Sequence, residues 1–418
     1  MRKRFPIFMG IVSVVSIFML LLSACSSTGS NTGPIQVGEL FPMTGREPFV
    51  GQWFLHGAKV GIYEVNHNGG VMGRQLNPTL ADTGGDGVDA VTALKQLRTL
   101  NPTFILGPSS LEIEGVLNQF DPAQLPDFVE GGTTQLDHMT NKYVYRTTPS
   151  DSTLAIGMSY YAINKLNCTQ AGYFFENTSN AAGVISPLVT SYTSHGGTIL
   201  PNANIEVTPH ESSYRTEVEN LFANNPKCVF MQTDPQTAST FFSNVRQLGH
   251  LNVPFILTDA GADINMAKAL GLADAAKWMT GMNGAPPSGP AWQHFTSLYQ
   301  TVWGTNQPVA LSQNTYDSVI IAALAMTEAG TTDPTKWIND VSDVAANPNG
   351  VKVYNYADGV AALKAGKKIN YEGASGSDDY NQFHNVAGSW DVVNFDTSGN
   401  LNTVYLVPEA QIAAWTPS

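Results

Sequence analysis

The sequence predicts an α/β protein built from two parallel-sheet lobes, and three observations lead there. From Ile35 onward, short apolar runs alternate with helical patterns. That βαβα rhythm restarts after Asp151, and a rhythm of this kind produces a parallel sheet covered on both faces. The chain has 418 residues, room for two or three domains at roughly 150 residues each.

The first lobe opens with a strand over Ile35–Phe41 and a helix over 53–66, whose Leu55, Ala58, Ile62 and Val65 share one face. Asn68-Gly69-Gly70 ends that helix. A strand over 75–82, a helix over 88–100, a short buried strand over 103–106, a helix from about Leu111 and a strand over 127–130 follow. The second lobe begins with a helix over 152–165. Its strands are expected at 171–176, 199–207, 228–232 and 254–258, with helices near 182–195, 213–224, 236–248 and 263–270. The turn-rich stretch 284–290 interrupts the pattern. Helices are expected over 291–303 and 313–329, and 381–398 reads as strand and loop. No short-period repeat is visible.

Composition narrows the function. Hydrophobic residues make up 43% and charged ones 13%, so most of the chain can bury a core and is not disordered. Lys and Arg number 21 against 34 Asp and Glu, a net charge of -13. An acidic body without a basic block argues against nucleic acid and against an anionic membrane surface as partners. Three cysteines exclude a disulfide scaffold and a Cys-rich metal site. The eight His show no metal-ligand spacing, and no cofactor is expected.

Residues 1–24 read as an export signal. Arg2, Lys3 and Arg4 precede an apolar run from about Phe8 to Leu22, the length of a signal core and short for a membrane span. Leu22-Ser23-Ala24-Cys25 resembles the bacterial lipobox, which implies cleavage before Cys25 and lipidation of its thiol. A plain membrane anchor with an incidental Cys is the other reading. Residues 25–34 form a small, polar tether, and a lipidated Cys would hold the body at the cell membrane without spanning it.

Four patches in order resemble the type I periplasmic binding proteins of the branched-chain amino acid branch, the substrate receptors of ABC importers. The first holds Pro42-Met43-Thr44-Gly45, Gly57-Ala58, Val65-Asn66, Gly69-Gly70-Val71-Met72-Gly73-Arg74 and Asp82. The others are Phe104 to Ser110, Tyr145 to Asp151, and Ile369 to Gly376 with Asn394-Phe395-Asp396 and Gly399 downstream. The resemblance implies two doubly wound lobes joined by a multi-strand hinge, one of 35–148 plus 284–394 and one of 149–283 plus 395–418. It implies a cleft at the carboxyl ends of the strands, where open parallel sheets bind ligands, and closure about the hinge.

It also implies site residues. Ser109 and Ser110, between a strand end and a helix start, would hold a ligand carboxylate at unpaired N–H groups; a simple N-cap is the alternative. Glu112 and Glu114 complement the helix dipole or, facing the cleft, repel that carboxylate. Gly132, Thr133 and Thr134 offer backbone and hydroxyl contacts to the same group, or form a turn bonded to itself. Asp259 would pair with a ligand ammonium, a charge-assisted bond worth roughly 1.5–3 kcal/mol, or cap the next helix. Asp234 stands at a cleft-wall position. Asn177 and Asn180 line the rim or are merely loop-polar. Arg46, Glu47 and Phe49 replace small residues in a loop facing the cleft, either solvated or in contact with a ligand unlike a plain aliphatic amino acid.

Gly85-Asp86-Gly87-Val88-Asp89-Ala90 matches the dinucleotide fingerprint GxGxxA, but it follows the second strand and lacks the acidic partner. Cys168 and Cys228 each precede a strand of the second lobe. First and third strands of a doubly wound sheet are neighbours, so the two thiols are candidates for a disulfide. No GxSxG elbow is present. The expectation is therefore a monomeric binding protein, not an enzyme, that takes an amino-acid-like or amide-like ligand and hands it to an ABC permease. A ligand-sensing receptor subunit on the same fold and an exported α/β hydrolase are the alternatives.

Overall fold

The computed structural model describes residues 33–285 and 288–416. The signal segment and Cys25 lie outside them, as do the side chains of Ser179 and Asn180. Residues 34 onward form one compact unit holding two sheets.

The first sheet consists of β1 (Ile35–Phe41), β2 (Leu76–Asp82), β3 (Phe104–Leu106), β4 (Asp127–Val129) and β5 (Val144–Arg146), all parallel, in the order β2-β1-β3-β4-β5. β1, β3, β4 and β5 are almost wholly buried, because helices cover both faces of such a sheet. Those helices include α1 (Pro48–His67), α2 (Gly87–Arg98) and α3 (Ile113–Ala123). The helix Ser312–Ala329, buried from Ser312 to Met326, packs along α1.

The second sheet contains β6 (Gln170–Glu176), β7 (Thr198–Val207), β8 (Cys228–Gln232), β9 (Phe255–Leu257) and β10 (Met279–Gly284), parallel to one another. A small two-stranded ladder, β11 (Val351–Val353) with β12 (Ile369–Tyr371), lies apart. β13 (Trp390–Phe395) and β14 (Leu401–Val407) then complete the second sheet in antiparallel fashion, giving the order β14-β13-β10-β9-β8-β6-β7. This is the type I periplasmic binding fold. Its helices include α4 (Asp151–Asn164), α5 (Ser179–Ser194), α6 (Arg215–Phe222) and α7 (Pro235–Gln247).

One lobe boundary needs correcting. The stretch 390–394 was expected in the first lobe, but Trp390 pairs with Gly284 and Val392 with Met282 in the second sheet. Trp390 and Val392 are buried in that lobe's core, so the chain crosses back before Trp390. The segment ahead of it lies against β5. Arg146 N–H donates to His384 O at 2.9 Å, Arg146 Nε to Asn385 Oδ1 at 2.9 Å, and the His384 ring stacks on Tyr145.

α1 starts at Pro48 rather than near Trp53. Pro at the first helical position has its φ preset and no N–H to leave unpaired. Asp86 caps α2, accepting from Val88 N–H at 2.7 Å, so an acid occupies the start of that helix where a phosphate would sit in the fingerprint. β6 lies between β7 and β8, and a disulfide joins Cys168 to Cys228 with Cα atoms 6.1 Å apart. Among the described residues no helix is long and apolar enough to cross a membrane.

Candidate functional site: a carboxylate-lined cleft

A cleft of about 900 Å³, counted with its open mouth, is lined from both sheets and from the segments joining them. Its walls sit at the carboxyl ends of β3, β4, β6, β8 and β9, where parallel sheets leave helix starts and loops free to converge.

The early start of α1 shapes the first wall. It places Glu47 at the N-cap and Phe49 and Trp53 one turn apart on the cleft side, their rings 5.2 Å apart and edge to face. The loop after β3 brings Ser109, Ser110 and Leu111 beside them. Ser109 Oγ hydrogen-bonds to Glu112 and to Glu47 Oε2, the latter at 3.1 Å. Glu112 is buried behind Ser109 and also accepts from Thr83 Oγ1 at 2.6 Å. Burial, with Glu112 nearby, pushes the Glu47 carboxyl up to about 8; Ser109 and Arg46 oppose the rise.

Glu130, Gly131 and Gly132 leave β4, and Asp151 opens α4 across from them. The Asp151 carboxylate sits where a Cβ on Gly132 would be. Asp151 is 8% exposed and makes no side-chain hydrogen bond. Burial and the Asp259 charge push its carboxyl up to about 8, against the pull of Arg146. Four of the five Arg146 N–H donors are committed elsewhere: to Asp137 at 2.8 Å, to Asn385, and to the carbonyls of Gly132 and Thr133 at 3.0 and 2.9 Å. Glu130 accepts from Ser318 Oγ at 2.8 Å through one oxygen, and its other oxygen is buried without a partner. Burial raises it to about 8 as well.

The second wall carries Glu176 and Thr178 at the end of β6, Gln232 to Asp234 at the end of β8, and Asp259 with Ala260 after β9. Asp234 caps α7 through Thr237 N–H at 2.7 Å and contacts His210 Nε2, while its own N–H donates to Glu176 Oε1 at 3.0 Å. Burial raises Glu176, with Asp234 adding to it, and burial raises Asp259.

Ser109, Ser110, Gly132, Asp234, Asp259 and Phe49 thus lie together in the cleft, as do Arg46 and Glu47. Thr133 and Thr134 do not line it. Thr133 N–H donates to Ser110 Oγ at 3.1 Å, and Thr134 opens a 3-10 turn and packs toward Gly183. Asn177 does not line the cleft, and its neighbour Thr178 does; the Asn180 side chain lies outside the described residues. Ser109 also departs from expectation, since its hydroxyl already serves two carboxylates of the chain.

The sequence pattern of the periplasmic binding protein family matches residues 34–400. The chain belongs to that family. Within it, the chain is 21% identical over 369 residues to the chemotactic signal transduction system substrate-binding protein BasB of Halobacterium salinarum, covering 83% of each chain. In structure this periplasmic binding protein resembles the leucine binding protein LivK of Thermotoga maritima with a TM-score of 0.75 and 17% identity, covering 90% of this chain and 99% of that one. It also resembles the branched-chain amino acid transporter substrate binding protein LivJ of Streptococcus pneumoniae, solved with isoleucine, with a TM-score of 0.73, 15% identity and coverage of 90% and 99%.

Sequence reasoning missed Glu130, Asp151 and Glu176, and the aromatic walls Trp53 and Trp390. A signal for the acids existed. Glu176 ends a parallel strand, and Glu130, Asp234 and Asp259 each follow one by no more than two residues, so the carboxyl ends of the strands had to collect them.

Proposed function

We propose that this periplasmic binding protein is the extracytoplasmic substrate-binding component of an ABC importer, lipidated at Cys25 and tethered to the cell membrane by residues 25–34. It captures a small amine-bearing ligand, amino-acid-like or amide-like, between its lobes and presents the closed form to a permease. The observation that supports this best is the cleft itself, lined in comparable measure from the carboxyl ends of both sheets, so that a ligand touching both walls favours closure. The lobes would divide at 148/149 and near 284, with the chain returning ahead of Trp390. Ser109, Ser110, Gly132, Asp234, Asp259 and Phe49 would be wall residues, and the chemistry is binding without a covalent step.

A receptor subunit in a sensory system is the second reading, favoured by the likeness to BasB, whose name places it in chemotactic signalling. The test is a melting screen of the full chain in detergent, refolded to strip bound ligand, against amino acids, amides, amines and small carboxylates. A ligand at a hundred times its Kd stabilises by about 2.7 kcal/mol. A panel that shifts no midpoint would reject the solute-binding reading, and consumption of a ligand would point to an enzyme.

A further inference from the structure

The cleft is unusual in the balance of its charges. Glu47, Glu130, Asp151, Glu176, Asp234 and Asp259 line it, and the one Lys or Arg among its lining residues is the exposed Arg46. Arg146 stands behind Asp151 but gives four of its five N–H donors to Asp137, Asn385 and two carbonyls. Carboxylates held near one another away from water repel strongly, and a positive ligand relieves that repulsion.

A second, independent observation concerns hydrogen bonding. Asp151, 8% exposed and lining the cleft, has no partner on either carboxylate oxygen. Glu130 Oε2, Gln232 Oε1 and Thr148 Oγ1, from three other wall residues, are buried without a close hydrogen bond, the Thr148 hydroxyl standing near the Glu130 carboxyl. Buried polar atoms are nearly always bonded, and the Gln232 amide oxygen and the ionised carboxylates can only accept. The missing partners are donors.

The third observation weighs against the competing ligand chemistry. A ligand carboxylate would be expected at Ser109, but that hydroxyl is turned to Glu112 and Glu47, and Glu47 itself lines the wall there. A zwitterion would have to bring a carboxylate against Glu47 and hold that acid in its protonated form. A quaternary ammonium brings charge but no N–H, and leaves the acceptors unpaired. Phe49 and Trp53 offer faces for an alkyl stem or a cation.

We infer that the cleft binds a net-cationic amine or guanidine with N–H donors on more than one nitrogen and without a carboxylate, one nitrogen being held by Asp151 and Asp259. This rests on reading the cleft as a solute site, and it narrows that reading to a charge class. The same electrostatics make binding weaken as salt is added.

The test is calorimetry on the full, ligand-stripped chain in detergent with putrescine, spermidine and agmatine, set against leucine, arginine and glycine betaine. The expected result is a Kd for one of the three amines at least tenfold below that of every comparison compound. Asp151→Asn should weaken that amine at least thirtyfold, and Glu114→Gln on the exposed face of α3 should leave it unchanged. Should Asp151→Asn lose its folded circular dichroism, Asp259→Asn serves in its place with the same expected loss. Leucine binding without the amines overturns the cationic class and leaves the solute-binding reading standing. Tightest binding of arginine overturns the absence of a carboxylate, and tightest binding of glycine betaine overturns the N–H requirement. No binding by any of the six at millimolar concentration overturns the cationic inference, and only a blank wider melting screen would remove the solute-binding reading with it.

Discussion

The carboxylate of Asp151 occupies the space that a Cβ on Gly132 would fill. Gly132 O also accepts from Asp151 N–H at 2.7 Å and from Arg146 Nη1 at 3.0 Å. The glycine therefore cannot retreat, and Asp151 is held at the cleft by the absence of a side chain opposite it. Gly132→Ala should push the carboxylate aside. The expected cost is about 1–3 kcal/mol in urea unfolding, as for other overpacked sites, together with loss of most ligand-induced stabilisation. Unchanged binding in that variant would separate Asp151 from the ligand.

Stability should depend on pH through the cleft. Glu47 and Asp151 both stand at about 8 when folded, against about 4.5 and 3.8 for free groups. The groups facing them are Glu112, Ser109, Asp259 and Arg46 for Glu47, and Asp259, Arg146 and Asp137 for Asp151. Between those limits the folded state binds more protons than the unfolded one, so stability falls as pH rises from about 4 to 8. Urea melts of the ligand-free chain at pH 5.5 and 8.5 should show the higher pH to be the less stable. Bound cation reverses part of that loss, because it favours the ionised carboxylates.

The Cys168–Cys228 bond closes a loop of 60 residues across neighbouring strands. Cross-linking at that separation contributes about 2–4 kcal/mol, mainly by restricting the unfolded chain. Cys168→Ser with Cys228→Ser, or unfolding in dithiothreitol, should lower the urea midpoint without changing the ligand Kd by more than about twofold, since neither cysteine lines the cleft. A large change in Kd would show the second lobe's sheet to be less rigid than its packing implies.

Ser109 holds two carboxylates at once. Ser109→Ala removes the one hydroxyl proton that Glu47 and Glu112 compete for and should cost about 1–3 kcal/mol. The cost should be greater at pH 9 than at pH 5, because only ionised carboxylates need the donor. Equal losses at the two pH values would mean that Ser109 acts through packing alone.

The sequence by itself determined the layered architecture. Runs such as Cys228–Gln232 and the 3.6-residue pattern over Leu55, Ala58, Ile62 and Val65 are local codes, written within one element and read without knowing its neighbours. The position of the cleft followed from strand direction, which places every strand-to-helix turn of a parallel sheet at one end. β10 escaped notice because MTGMNG carries little apolar patterning and gains its strand from β9 and β13 on either side.

What the tertiary structure decided was the partner of each polar group. Ser109 meets Glu47 across 62 positions of chain, and Arg146 meets Asn385 across 239. No local pattern encodes such pairings, because they depend on where helices and crossings settle once the cores have formed. The same settling drew the acids of separate strand ends into one low-dielectric space and left Asp151 without a donor. A carboxylate after a strand is a helix cap when water or a backbone N–H reaches it, and a ligand group when neither does. Only the packed molecule distinguishes the two, since desolvation is a property of the assembled walls and not of any residue within them.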